Sequence, residues 1–133
     1  MLSNTLEKKI NTVKIMIVDD EQDIVIIIGK VLKKSGYGVI TAADGLECLK
    51  KLETELPDLI LLDNVMPNMD GKTVLLKLKA SKRTANIPVI MITTLVDQEH
   101  ITSAQKGGAV EYIVKPFDYT VMLEKIAQVL KAK

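Results

Sequence analysis

The most constraining feature of the sequence is an uninterrupted apolar run, Leu59–Leu62, that ends at a carboxylate, Asp63. Four apolar residues in a row predict a strand that is buried on both faces, as in the centre of a parallel sheet. Pro67 and Gly71 indicate that a loop follows. In open α/β sheets, ligands bind beyond the carboxyl ends of the strands, so Asp63 is a candidate site residue. Taken alone, an Asp at such a position is more often a turn former.

Strand and helix patterns alternate five times along the chain. This alternation predicts an α/β fold with a doubly wound, five-stranded parallel sheet and right-handed crossovers. Strands are predicted at residues 14–18, 37–42, 59–62, 89–93 and 109–114. Helices are predicted at residues 22–35, 45–56, 72–80, 97–106 and 119–130.

Helical spacing assigns a buried face to each helix, with the weakest support in the fourth. In the first helix the face comprises Ile24, Ile27, Ile28, Val31 and Leu32, which leaves Ile26 and Val25 outside it. In the second helix the face comprises Leu46, Leu49, Leu52 and Leu56. The fourth helix offers mainly Ile101 and Ala104, so we expect it to dock weakly. The extra apolar residues of the first helix predict either a docking patch or a slight rotation that buries them.

Length and charge restrict the function classes. The 133 residues are predicted to form a short polar lead (1–13), weakly helical around residues 6–10, and one domain (14–133). With 18 Lys and Arg against 17 Asp and Glu, the chain lacks the basic excess typical of nucleic-acid binding. Its longest apolar run, 24–28, is far shorter than the ~20 residues of a membrane helix. A polar start without a signal peptide, and the single cysteine Cys48, predict a cytoplasmic protein without membrane partners.

Polar side chains follow four of the five predicted strands. They are Asp19 and Asp20, Asp63, Thr93 and Thr94, and Lys115. Because the carboxyl ends of parallel strands share one edge of the sheet, we expect these side chains to converge. Clustered carboxylates repel one another unless a cation joins them, and oxygen ligands with room for water favour Mg²⁺. Asp63 would then have the surroundings of a carboxylate nucleophile toward a phosphoryl group.

Each of these residues also has an ordinary structural explanation. Asp19 and Asp20 could cap the first helix, Thr93 could be a strand residue, and Lys115 could be a solvated loop charge. The occurrence of all of them at the matching strand ends favours the functional interpretation.

The combination resembles the receiver domain of two-component response regulators, over about residues 14–131. The resemblance rests on the segments VDDE at 18–21, DNVMPNMDG at 63–71, PVIMIT at 88–93 and GAVEYIVKPF at 108–117. It implies the flavodoxin-like strand order 2-1-3-4-5 and a phosphorylation-controlled signalling switch. It also implies a cis peptide bond between Lys115 and Pro116.

The resemblance assigns roles to particular residues. Asp63 would accept the phosphoryl group from a sensor histidine kinase or a phosphotransfer protein. Mg²⁺ would be held by Asp20, Asp63 and the backbone carbonyl of Val65, with Asp19 supporting. Thr93 and Lys115 would contact the phosphoryl oxygens, and Thr93 would act with Tyr112 as the switch. The output surface would comprise the fourth helix, fifth strand and fifth helix, where Glu111 and Lys125 suggest a weak homodimer.

Three residues near the site depart from the common family pattern or vary in it. Thr94 replaces a smaller residue and narrows access for the phosphodonor, while Val65 and Leu95 are apolar and predict slow loss of the phosphoryl group. The 133 residues end after the fifth helix, so we expect a stand-alone or excised receiver domain with an unknown downstream target. Apart from promoting its own phosphorylation and dephosphorylation, it would not be an enzyme.

Two other function classes remain as alternatives. A Mg²⁺-dependent phosphohydrolase would also use an aspartyl-phosphate, but such enzymes usually carry a second acid two positions after the nucleophile, where this chain has Val65. A nucleotide-binding module would usually show a glycine-rich phosphate loop, and neither of the two common motifs occurs.

Overall fold

Residues 12–132 are described by a computed structural model in which a five-stranded parallel sheet lies between two layers of helices. The strands are β1 Lys14–Val18, β2 Gly38–Ala42, β3 Leu59–Leu62, β4 Val89–Thr93 and β5 Glu111–Val114. The helices are α1 Gln22–Lys34, α2 Gly45–Lys51, α3 Gly71–Ala80, α4 Gln98–Lys106 and α5 Tyr119–Lys131. The strand order β2-β1-β3-β4-β5 confirms the predicted fold class and topology. The weak helix predicted around residues 6–10 lies outside the described residues.

The central strands contribute side chains alternately to two cores. Met16 and Ile60 pack with α2, α3 and α4 on one face of the sheet. Ile15 and Leu59 pack with α1 and α5 on the other face. Because both faces are covered, β1 and β3 need apolar residues at consecutive positions. This requirement explains the apolar runs that end at Asp19 and Asp63.

The predicted buried face of α1 is wrong at two positions. Val25 is buried, whereas the side chain of Ile27 is 45% exposed. The buried stripe also contains Ile28, Gly29 and Leu32. Gly29 faces β2, where an added Cβ would lie 3.9 Å from Val39, an ordinary packing distance. Ile26 is exposed, so the predicted alternative of a slight rotation that buries it does not apply.

The predicted face of α2 is wrong at its two ends. The helix stops at Lys51, so Leu56 lies beyond it and is exposed, and Leu46 is 56% exposed. The buried face instead begins at Gly45, where an added Cβ would lie 2.6 Å from Val74 of α3. This close approach turns Cys48 inward, and burial raises the pKa of its thiol to about 12.

The other boundaries are close to those predicted, although β5 begins at Glu111, two residues later than expected. Among the described residues, no helix has the length and apolarity required to span a membrane.

Candidate functional site

The sheet hydrogen bonds extend one residue beyond three strands and place the main site residues. The Asp63 amide donates to the Val18 carbonyl oxygen (3.0 Å), and the Asp19 amide donates to that of Ala42 (3.1 Å). Between β4 and β5, the Lys115 amide donates to the Thr93 carbonyl oxygen (2.9 Å). The predicted convergence at the carboxyl edge is therefore observed.

Lys115 joins the carboxylates of two strands. Its Nζ lies 2.6 Å from Asp19 Oδ2 and 3.3 Å from Asp63 Oδ2, and all three side chains are buried. The same Nζ lies 3.2 Å from Glu21 Oε1. Glu21 was not among the predicted site residues, although it directly follows the two aspartates. A buried charge is costly unless it is paired, so these contacts hold the ammonium group at the base of the pocket.

The pocket contains more carboxylates than its one ammonium group can balance. Ligand oxygens of Asp19, Asp20 and Asp63 all lie within 4.8 Å of one another. Burial, together with the charge of Asp19, raises the pKa of Asp63, although the Val65 amide and Lys115 oppose this change. Burial lowers the pKa of Lys115, but its carboxylate partners outweigh this effect, and the net direction is upward.

This donor set fits a hard divalent cation. All the side-chain donors are carboxylate oxygens, and Asp20 is exposed, which leaves room for water ligands. A cation would also relieve the repulsion that raises the pKa of Asp63. The geometry therefore supports a metal site. If Asp19 and Asp20 served only to cap α1, there would be no reason for Asp63 to lie beside them.

The loop after Asp63 is held tightly against it. The Val65 amide donates to Asp63 Oδ1 (3.2 Å), and the Gly71 amide donates to the Asn64 carbonyl oxygen (3.0 Å). A Cβ at position 71 would lie 2.3 Å from the Asp63 carbonyl oxygen, so only glycine allows α3 to start here. Asp70 caps α3 by accepting a hydrogen bond from the Thr73 amide (2.9 Å). Val65 itself is exposed and contributes no side-chain oxygen.

Thr93 and Tyr112 meet at Leu95. The side chain of Thr93 is fully buried, and its Oγ1 accepts a hydrogen bond from the Leu95 amide (3.4 Å). The Tyr112 hydroxyl donates to the Leu95 carbonyl oxygen (2.7 Å). Burial, with the charges of Asp97 and Asp63, raises the pKa of Tyr112, so the phenol stays protonated and able to donate. The two predicted switch residues are thus joined through one backbone segment, a link that spacing alone did not reveal.

A depression lies beside Lys115. It has a volume of about 350 Å³ and is lined in part by Glu21, Thr94, Pro116 and Phe117. Thr94 lines this depression, and its effect on access for the phosphodonor stays a prediction. The bond between Lys115 and Pro116 is cis, which confirms the prediction.

Comparison with known proteins decides the family. The family model for the response regulator receiver domain matches residues 15–127. The chain belongs to this family. Receiver domains are the phosphorylation-dependent signalling domains of two-component systems and are generally not enzymes.

The relatives of this receiver domain include long and short proteins. It is 40% identical over 118 residues to the alkaline phosphatase synthesis transcriptional regulatory protein PhoP of Bacillus subtilis, covering 89% of this chain and 48% of that protein. The chain spans about half the length of the first curated relatives it matches. It is 37% identical to sporulation initiation phosphotransferase F of the same organism, covering 90% of this chain and 95% of that protein.

Solved receiver structures share the whole fold. A CheY-like receiver domain protein from Methanospirillum hungatei matches with a TM-score of 0.86 and 33% identity, covering 92% of this chain and 96% of that one. Chemotaxis protein CheY4 of Vibrio cholerae matches with a TM-score of 0.84 and 31% identity, covering 89% and 98%. The predicted resemblance to receiver domains is confirmed.

Proposed function

We propose that this receiver domain accepts a phosphoryl group on Asp63 and acts as a phosphorylation-controlled switch. The observation that carries the proposal is the position of the Asp63 carboxylate. It is buried at the carboxyl edge of the sheet, 3.3 Å from the Lys115 ammonium group and within a cluster of acidic oxygens. A nucleophile with an adjacent fixed cation is what transfer of an anionic group requires. We place the domain at residues 14–133, preceded by a short lead at 1–13.

We further propose that Mg²⁺ is held by Asp20, Asp63 and the Val65 carbonyl, with Asp19 supporting. The bound ion would supply charge neutralisation during phosphoryl transfer. Its oxygen-only donor set fits Mg²⁺ better than softer metals such as zinc or copper, because no His or Cys belongs to the acidic cluster. Asp19 already accepts hydrogen bonds from the Glu21 amide and from Lys115, which supports its secondary role.

The residues of the chain then have separable tasks. A carboxylate oxygen of Asp63 attacks phosphorus of the donor as the bond from phosphorus to the donor histidine nitrogen breaks, and that nitrogen keeps the electron pair. Lys115 exchanges part of its carboxylate contact for a phosphoryl oxygen. Thr93 turns its hydroxyl from the Leu95 amide toward another phosphoryl oxygen. The buried walls of the site exclude bulk water, which strengthens each of these contacts.

The test is labelling with a small acyl phosphate in the presence of Mg²⁺, followed by intact-mass measurement. Wild type should gain the mass of one phosphoryl group, and Asp63→Ala should gain none. Asp23→Ala is the matched control, since Asp23 is an exposed acid outside the cluster and should label like wild type. Equal labelling of Asp63→Ala and wild type would show that Asp63 is not the acceptor.

The switch follows from the contacts of Thr93. When the Thr93 hydroxyl turns toward the phosphoryl group, the Leu95 amide loses its acceptor and the segment that carries the Tyr112 contact can move. Movement there changes the surface of α4, β5 and α5, which we propose as the output surface toward an unknown downstream target. Glu111 and Lys125 form an ion pair within one molecule (3.1 Å), so a homodimer using them across an interface would be weak.

We propose that the donor is a sensor histidine kinase or a phosphotransfer protein that docks on α1, in the cytoplasm. Ile26 and Ile27 form an exposed apolar pair on this helix, which begins four residues after Val18 at the pocket edge. Ile26→Lys should slow transfer from the cognate donor and leave labelling by the small acyl phosphate unchanged. Leu56→Lys, an exposed leucine after α2, is the control. Unchanged transfer to Ile26→Lys would remove α1 from the docking surface.

A further inference from the structure

A groove runs between α3 and α4 on the side of the molecule away from α1. It has a volume of about 590 Å³, and its lining includes Lys72, Leu75, Leu76, Thr102, Lys106 and Gly107. Leu75 is buried and forms part of the floor. Gly107 lies against it, since an added Cβ there would be 3.1 Å from Leu75 Cδ2. Leu76 is 54% exposed on the α3 wall, which leaves an apolar surface without a described partner on the groove side.

The charge around this groove is positive. Residues 71–96 contain five Lys and Arg and no Asp or Glu, whereas the rest of the chain has 13 Lys and Arg against 17 Asp and Glu. Two of the five are engaged elsewhere: Lys79 Nζ donates to the Ala85 and Ile87 carbonyl oxygens, and Arg83 donates to those of Leu52 and Glu53. Of the five, only Lys72 lies in the groove lining, on α3. Lys106 on α4 also lines the groove, both lysines are exposed, and Glu99 is the one acid in the lining.

We propose that this α3–α4 groove binds a short acidic amphipathic helix of a partner protein. An aliphatic side chain of the partner packs on Leu75 and Leu76, and flanking carboxylates pair with Lys72 and Lys106. An apolar floor with an exposed lysine on each wall fits helix-in-groove recognition, with the apolar anchor giving affinity and the lysines giving selectivity for an acidic partner. Nucleic acid fits less well, because stacking of bases requires aromatic side chains and the groove lining contains none.

Occupation of the groove would act on α4. One wall belongs to α3, which is fixed to the loop of Asp63 through Gly71. The other wall belongs to α4, whose only buried side chain is Ala104. A helix that bridges the two walls therefore stabilises one position of α4. Suppose that binding of the helix shifts the equilibrium between two positions of α4 by some factor. By linkage, an event that moves α4 between these positions changes the affinity of the groove for the helix by that same factor. The groove shares α4 with the proposed output surface but has its other wall on α3, and binding to it does not depend on the role of Asp63.

The experiment is a titration of the ¹⁵N-labelled full chain with a designed probe, followed by amide chemical shifts. The probe is a blocked alanine-rich helical peptide, about 15 residues long, with two leucines on one face and glutamates beside them. We expect shifts at Leu75, Leu76, Ser103 and Gly107, and weaker binding as salt is raised. Leu76→Glu should weaken binding at least about tenfold, a change of about 1.4 kcal/mol. Lys72→Gln combined with Lys106→Gln should weaken it by a smaller factor.

Two controls make the result decisive. Leu56→Glu places the same change on another exposed leucine and should bind the peptide like wild type. A peptide with lysines in place of the glutamates should not shift the groove amides. The proposal is overturned if the acidic peptide leaves these amides unmoved at millimolar concentration, or if the lysine peptide shifts them equally. It is also overturned if a single-stranded oligonucleotide shifts the same amides more strongly, which would identify a polyanion site.

Discussion

Helices α3 and α4 follow the neighbouring strands β3 and β4 and line the same groove, but they are attached to the domain very differently. α3 buries Val74, Leu75 and Leu78, and the Asp70 side chain caps its first turn. α4 buries only Ala104, and the side chain of its N-cap residue Asp97 makes no hydrogen bond to the helix backbone. The Asp97 carboxylate instead lies 2.6 Å from His100 Nδ1, in solvent.

The difference separates two tasks that a switch must perform. The site must be rigid enough to position Asp63, and α3 contributes to that rigidity through its close contact at Gly71. The proposed output surface must be able to move. α4 buries only Ala104, and the loop before it is tied to β5 by the bond from Tyr112 to Leu95. Regions with few buried apolar contacts open at a low free-energy cost, so α4 is the element that a small event at Thr93 can displace.

The largest expected effect is on stability. Leu75→Ala in α3 should lower the free energy of unfolding by about 2–5 kcal/mol, because it leaves a cavity in the core. Ile101→Ala in α4, at a half-buried position, should cost about 1 kcal/mol or less. Urea unfolding measures both, and Leu76→Ala at an exposed position of α3 is the control. Equal losses for Leu75→Ala and Ile101→Ala would remove the difference in anchoring.

The next effect concerns the lifetime of the phosphoryl group. Val65 lies on the loop before α3 and Leu95 on the loop before α4, and neither side chain can orient a water molecule for attack. Correct orientation contributes several kcal/mol, so the double variant Val65→Asn, Leu95→Glu should lose the group about 10 to 100 times faster. Decay after removal of the donor measures this, and the single variants show which loop contributes more. If the double variant decays no faster than wild type, the two apolar side chains do not slow hydrolysis.

The smallest effect is the conformational response itself. A phosphoryl mimic such as beryllofluoride with Mg²⁺ should shift the amides of α4 and β5, including Tyr112, by more than those of Val74 and Leu78 in α3. Spectra of the ¹⁵N-labelled protein with and without the mimic measure the shifts, and Asp63→Ala should show none. Shifts confined to the Asp63 loop, with Tyr112 unmoved, would contradict the assignment of α4 as the mobile element.

The sequence predicted the parts of the fold that depend on long apolar runs. The runs before Asp19 and Asp63 indicated strands buried on both faces and the edge of the sheet that carries the site, whereas the strand order was implied by the resemblance to receiver domains. Helix faces were less determined. Five consecutive apolar residues, 24–28, support two stripes on α1, and the structure buries Val25 and Ile28 while Ile27 is exposed. In α2 the contact of Gly45 with Val74, a residue distant in sequence, turned Leu46 outward.

Two features of the site depend on tertiary geometry and could not be predicted in the same way. The contact between Glu21 and Lys115 joins residues from opposite ends of the chain. Its only sequence signal is that Glu21 continues the acidic run after β1. The bond from Tyr112 to the Leu95 carbonyl oxygen involves a backbone acceptor, which no side-chain pattern reveals.

The direction of α5 has a practical consequence. Ala132, just after this helix, shares a surface depression with Pro88 and Val110, which precede β4 and β5. Lys14 opens β1 at the same edge, because all five strands are parallel. Both ends of the described chain therefore emerge on the side opposite the acidic pocket. A fluorescent protein or a surface tether joined directly before Thr12 or after Ala132 would therefore start on the side away from Asp63.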